Sequence, residues 1–153
     1  MNKPSLLKEQ ILNHLLTQLN QKAETAKTAI QSAKESRNNN TKSSAGDKFE
    51  TGREMMQMEI DKNEAQLAKA LKSKSELSQI NIQKRCEKVE FGSLVFTSEG
   101  IYFISIGIGK LIVNNEPYFA ISLASPIGKL LHNKVVGDKI QFQKREFEIN
   151  YIV

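Results

Sequence analysis

The chain has 153 residues, 39% of them apolar and 7% aromatic, with no Trp and a formal net charge of +5. That is enough for one domain with a packed core, or for a small domain plus an extended element. Its single Cys excludes an intrachain disulfide and suits a reducing compartment. The stretch MNKPSLLKEQILNHLLTQLNQK carries no apolar run long enough for a signal peptide or a membrane span. A cytoplasmic protein is expected.

Both core and charge are unevenly placed. Every Phe and Tyr except Phe49 falls after residue 90, so the packed core is expected in the C-terminal part. Residues 1–46 hold seven Lys/Arg against three acids, whereas residues 87–153 hold seven of each. A basic first arm fits an anionic partner, or simply a solvated helix face.

Residues 5–35 lack Gly and Pro. Their apolar residues Leu12, Leu16, Leu19, Ala23, Ala26, Ile30 and Ala33 alternate in steps of four and three, the seam of a coiled coil. The polar run SRNNNTKSSAG ends at Gly46 and reads as a turn. The rhythm resumes at Met56, Ile60, Asn63, Leu67, Ala70, Lys74 and Leu77, with Asn63 and Lys74 as polar interruptions. Two such runs joined by a polar turn predict an antiparallel coiled-coil hairpin over 1–86, with its tip near 37–50.

From about residue 88 the period becomes two. VEFGSLVFTS, GIYFISIG, KLIVN and PYFAIS read as strands, broken at 98–100, 107–109 and 114–117. SPIGKLLHN predicts a short helix capped by Ser125, with Pro126 in its first turn. VVGDKIQF and REFEINYIV supply the last strands. The expected class is α+β, with a mostly antiparallel sheet and one short helix over 87–153.

Few motifs carry chemistry. Gly107-Ile108-Gly109-Lys110 lacks the length and the following Ser/Thr of a phosphate loop, and reads as a hairpin turn. His14 and His132 have no companions at ligand spacing, and Cys86 has no partner His nearby. What remains is Asp47 and Glu50 after Gly46. Asp47 as N-cap with Glu50 three residues on is a capping box; the same two carboxylates on one helical turn can also serve a hard cation.

A basic helical hairpin followed by a β-rich module containing S-P-I-G-K-L-L-H-N-K-V-V-G-D resembles the bacterial Gre transcript-cleavage factors, GreA and GreB. Ser125-Pro126-Ile127, Leu130 or Leu131, Lys134 and Gly137-Asp138 fall in that family's order. Phe91-Gly92-Ser93 resembles its entry into the first strand, and Gly46-Asp47-Lys48-Phe49-Glu50 resembles its Gly-Asp-x-x-Glu. The resemblance covers nearly the whole chain. It implies an FKBP-like C-terminal domain that docks on RNA polymerase at the rim of the secondary channel, through the region of Ser125, Pro126, Ile127, Lys134, Gly137 and Asp138. It also implies a coiled coil that threads the channel, so that Asp47 and Glu50 help hold a Mg²⁺ shared with the polymerase, the protein having no cofactor of its own. Backtracked RNA is then cut by the polymerase, so the protein is an accessory factor rather than an enzyme. The expected partners are RNA polymerase and the nascent RNA 3′ end, with DNA within reach, no membrane, and a monomeric protein. Lys22, Lys27, Lys34, Arg37 and Lys42 would form a diffuse basic surface near the channel walls or RNA.

The chain departs from the family after Glu50, where Asn-Ala-Glu-Tyr is replaced by Thr51-Gly52-Arg53-Glu54. This motivates the alternative of a channel-binding regulator without cleavage activity. A prolyl isomerase, which wants an aromatic-lined apolar pocket, and a coiled-coil adaptor are the competing classes.

Overall fold

The structure is a computed structural model that describes residues 3–43 and 47–153, and the side chains of residues 5–39 and 50–153. Two long helices come first, α1 (Lys3–Ser43) and α2 (Asp47–Leu77). Six strands and one short helix follow: β1 (Leu94–Thr97), β2 (Gly100–Ile104), β3 (Gly109–Val113), β4 (Glu116–Ile121), α3 (Pro126–Leu131), β5 (Lys139–Phe142) and β6 (Arg145–Ile152). The class is α+β. By compactness the chain divides into two units, one of Met1–Leu15 with Ser75–Val153, the other of Leu16–Lys74.

The helical unit is a hairpin with a thin seam. Leu19, Ala23, Ala26 and Ala33 of α1 are buried, as are Ile60, Asn63 and Ala70 of α2. Small residues keep the buried area low, so each seam position adds less than the ~1.5–3 kcal/mol of a buried Leu or Phe. Asn63 is tolerated because its amide donates to the Glu59 carbonyl at 2.8 Å and carboxylate at 3.1 Å, within its own helix. The other polar position expected on the seam, Lys74, is exposed.

Two expectations for α1 are corrected. Leu12 and Leu16 are only half-buried, while Ile11 and Leu15 are fully buried. The seam steps back by one residue because residues up to Leu15 pack in the sheet unit, not in the hairpin. Also, most of the run read as a turn is helical, since α1 continues to Ser43. Asn and Ser cost only about 0.5 kcal/mol each in a helix. A cross-hairpin bond from Arg37 Nη1 to Gln57 Oε1, at 2.7 Å, shows that α2 accompanies α1 this far.

In the other unit the strand order is β3-β4-β2-β1-β6-β5. The antiparallel expectation holds for four of the five pairs, but β2 and β4 run parallel, with Phe103 beside Ala120. The sheet is therefore mixed. The β3–β4 hairpin turns on Asn114 and Asn115, both at positive φ, a conformation Asn tolerates and two-residue hairpins need. The hairpin then lays its second strand, not its first, along β2. β1 also begins later than its sequence suggested. Residues 90–93 form a turn in which Ser93 Oγ donates to the Glu90 carbonyl at 2.7 Å and Gly92 sits at φ +93°, so the ladder starts at Leu94.

Alternation gives the sheet two apolar faces. One carries Val95, Ile104, Phe147, Ile149 and Ile152, and is covered by Leu131 and Ile127 of α3. The other carries Leu94, Phe103, Leu111, Tyr118 and Ala120, all buried. Ile11, Leu15 and Leu77 of the helices are buried in the same unit. Asn114 Nδ2 donates to Gln10 Oε1 at 2.9 Å, which ties the base of α1 to the β3–β4 turn.

Candidate functional site

α1 ends at Ser43 and α2 begins at Asp47; residues 44–46, including Gly46, fall outside the described residues. Asp47 opens α2, but its side chain also falls outside them, so both the capping and the metal reading of that carboxylate do too. Glu50 is described. It is exposed in the first turn of α2, where the helix dipole favours a negative charge. Gly52 is half-buried one turn in, and Arg53 is exposed. Among the described residues Arg53 makes no ion pair with Glu50, although residues three apart share a face.

Further along the same flank the hairpin is held by a polar chain. Gln57 accepts from Arg37 Nη1 and donates to Asp61 Oδ1 at 3.0 Å. The sequence places Arg37 on a diffuse basic surface; in the structure it also bonds across the hairpin. Lys22 and Lys34 are exposed, Lys27 pairs with Glu24 at 3.6 Å, and the Lys42 side chain is outside the described residues. Among the described residues no group of three His, Cys, Asp or Glu could hold a metal ion.

The segment 125–138 is built by caps and turns. Ser125 caps α3 in extended backbone, accepting from the Gly128 N–H at 3.0 Å and donating to the Ser122 carbonyl at 2.7 Å. Pro126 follows it, where a missing N–H costs nothing. Ile127 is packed against the core. Gly128 is forced, since a Cβ there would lie 2.0 Å from the Ser122 carbonyl oxygen. Beyond the helix, the Val89 N–H donates to the Lys134 carbonyl and the Asn133 N–H to the Val89 carbonyl, so this connection is laced to the start of the sheet unit. Gly137 takes φ +95°, and its N–H donates to the Ile149 carbonyl. Asp138 Oδ2 accepts from the Val135 N–H at 2.8 Å. The outer surface of this segment presents Pro126, Lys134, Val135 and Val136, all exposed.

One buried charge has no counterpart in the sequence reading. Lys8 is fully buried, and its Nζ donates to the Lys84 carbonyl at 3.3 Å. Burial pushes its pKa down, opposed by the nearby Cys86 and Glu90. Lys84 Nζ pairs with Glu90 at 2.5 Å, which pushes the Lys84 pKa up. Cys86, buried in the core cluster, has its thiol pushed up by burial and is a poor nucleophile there. Lys8 lies three residues before Ile11 and seven before Leu15. Extending the true seam backward would have found it.

No helix among the described residues is long and apolar enough to cross a membrane. No protein-family model matches the chain, and no curated protein matches it.

Proposed function

We propose that the protein is a Gre-type elongation factor that binds RNA polymerase in the cytoplasm and stimulates cleavage of backtracked RNA. The supporting observation is an antiparallel helical hairpin with exposed Glu50 in the first turn after its tip, in a chain that also carries the S-P-I-G to G-D segment on a compact sheet unit. α2 alone runs about 45 Å at 1.5 Å per residue, enough to carry a carboxylate deep into a channel.

The hairpin's part is positioning. Glu50, exposed and without an ion pair among the described residues, presents hard oxygen donors to a cation. One such carboxylate, with Asp47 beside it in sequence, is a partial donor set, so the remaining ligands come from the polymerase. A Mg²⁺ held between them would activate a water and offset charge on the phosphate. The Arg37–Gln57–Asp61 chain keeps the two helices in register behind the carboxylate. The caps and turns of 125–138 hold a stiff outer surface suited to docking.

A second reading, a channel-binding regulator that does not cut, is favoured by Gly52 in the first turns of α2 and by the Arg53 charge near Glu50. A stalled, backtracked complex with the cognate polymerase decides between them. Cleavage by the wild type, lost in a still-binding Asp47→Ala/Glu50→Ala variant, supports the first. Binding without cleavage supports the second, and a wild type that does not bind refutes both.

A further inference from the structure

Three of the chain's four methionines fall in one short run, Met55, Met56 and Met58. The hairpin sorts them. Met56 faces the seam and is half-buried, whereas Met55 is 59% and Met58 70% exposed, the latter the most exposed large apolar side chain described. Three residues apart, the two share one face of α2. The only other sulfur among the described residues, Cys86, is 5% exposed with a pKa raised by burial. So, among the described residues, the accessible, oxidisable sulfur is concentrated in this one pair.

We propose that Met55 and Met58 form a peroxide-sensitive modification site that controls engagement of the hairpin by its partner. A hydroperoxide transfers one oxygen to each thioether. The sulfur gains an S–O bond and is oxidised by two electrons, the O–O bond breaks, and the peroxide is reduced to water or an alcohol. The product sulfoxide is polar and chiral, and reductases reverse it. The hairpin tolerates it because neither side chain is buried in the seam, whereas a sulfoxide at Met56 would face the seam. The change lies about 8 and 12 Å along the helix axis from Glu50, counting 1.5 Å per residue. A soft, adaptable apolar face next to the proposed working end becomes a polar one. The control over engagement rests on the reading of the protein as a polymerase-binding factor; the selectivity of oxidation does not.

The full chain is treated with graded hydrogen peroxide and mapped by peptide mass spectrometry, and binding to core RNA polymerase is measured alongside a Met55→Leu/Met58→Leu variant. The expected result is a gain of one oxygen on each of Met55 and Met58 before Met56, unchanged helicity, and loss of binding by the wild type but not by the variant. Restoration by methionine sulfoxide reductase would complete the case. Equal oxidation of Met56, or a melted hairpin, overturns the site. Selective oxidation with unchanged binding overturns its control of engagement. An untreated wild type that fails to bind refutes the polymerase reading and the control built on it, while the mapping still decides the site.

Discussion

Gly128→Ala tests how the α3 connection is built. A Cβ at this position would lie 2.0 Å from the Ser122 carbonyl oxygen and 2.8 Å from Ser125 Oγ, where ordinary contact begins near 3.4 Å. The carbonyl must withdraw by more than an ångström, and it is not free to do so. It accepts from the Ser125 N–H at 3.1 Å and from Ser125 Oγ at 2.7 Å, and the same hydroxyl caps the helix at Gly128 N–H. Overpacking costs about 1–3 kcal/mol, and a loosened cap or a lost hydrogen bond about 1 each. Exchanging Gly for Ala in a helix returns about 1 kcal/mol. The expected net loss is about 3 kcal/mol, a fall in Tm of roughly 6–12 °C for a chain of this size. All three tyrosines lie at or after residue 102 and there is no Trp, so tyrosine fluorescence follows the sheet unit separately from the hairpin. Gly107→Ala is the control, since nothing lies within 4 Å of its added Cβ. Its Tm should stay within about 2 °C of wild type, as expected for a neutral surface change. A Gly128→Ala protein as stable as that control would refute the close approach.

Gly137→Ala should cost about 1–2 kcal/mol from its φ of +95° alone, because no atom lies in the way of the new methyl; urea unfolding would measure it. Asn63→Leu should stabilise the hairpin by roughly 1 kcal/mol, since the amide bonds only within its own turn, and thermal melting followed by circular dichroism would show it. Lys8→Met removes a buried ammonium and should leave the protein as stable or more so near neutral pH. The pH dependence follows from the lowered Lys8 pKa. Between that value and the ordinary 10.5 the unfolded chain holds the extra proton, so burial of the charge destabilises below the folded pKa and is relieved as pH rises through it. Wild type should therefore gain stability relative to Lys8→Met as pH rises toward the ordinary 10.5, and the comparison is repeated in a Cys86→Ala background because the Lys8 charge lowers the pKa of that thiol. A constant difference would mean that Lys8 is solvated.

The strands were legible because Val, Ile, Phe and Tyr alternate between breaks such as Asn114-Asn115, and the Ser125 cap was legible from its chemistry. The parallel contact of β2 with β4 was not. It depends on which strand of a hairpin lies inward, and both strands carry suitable apolar residues, Leu111 in β3 and Ala120 in β4. The seam failed at Leu12 and Leu16 because periodicity shows that a face is apolar but not which partner it meets. Helix over 36–43 was missed because the low propensity of Asn and Ser is a small local cost that a long neighbouring helix overrides. At the candidate site, spacing brought out Glu50 and Asp47, but not the Arg37–Gln57 bond, which joins residues twenty apart. The S-P-I-G and G-D residues prove to have local duties as cap, close approach and turn.

The sheet unit draws on both flanks of the hairpin, and that sets an order of events at the ribosome. The hairpin, residues 16–74, is closed by local contacts and can form as soon as α2 has emerged. The sheet has to wait, because Leu94 exchanges both of its backbone bonds with Val153 and β1 lacks its second neighbour until β6 has been made. Through that interval Leu94, Phe103 and Tyr118, all buried in the finished protein, lack the completed sheet unit. A nascent chain paused between β4 and β6 is thus the form in which this protein is most exposed to aggregation and to chaperones.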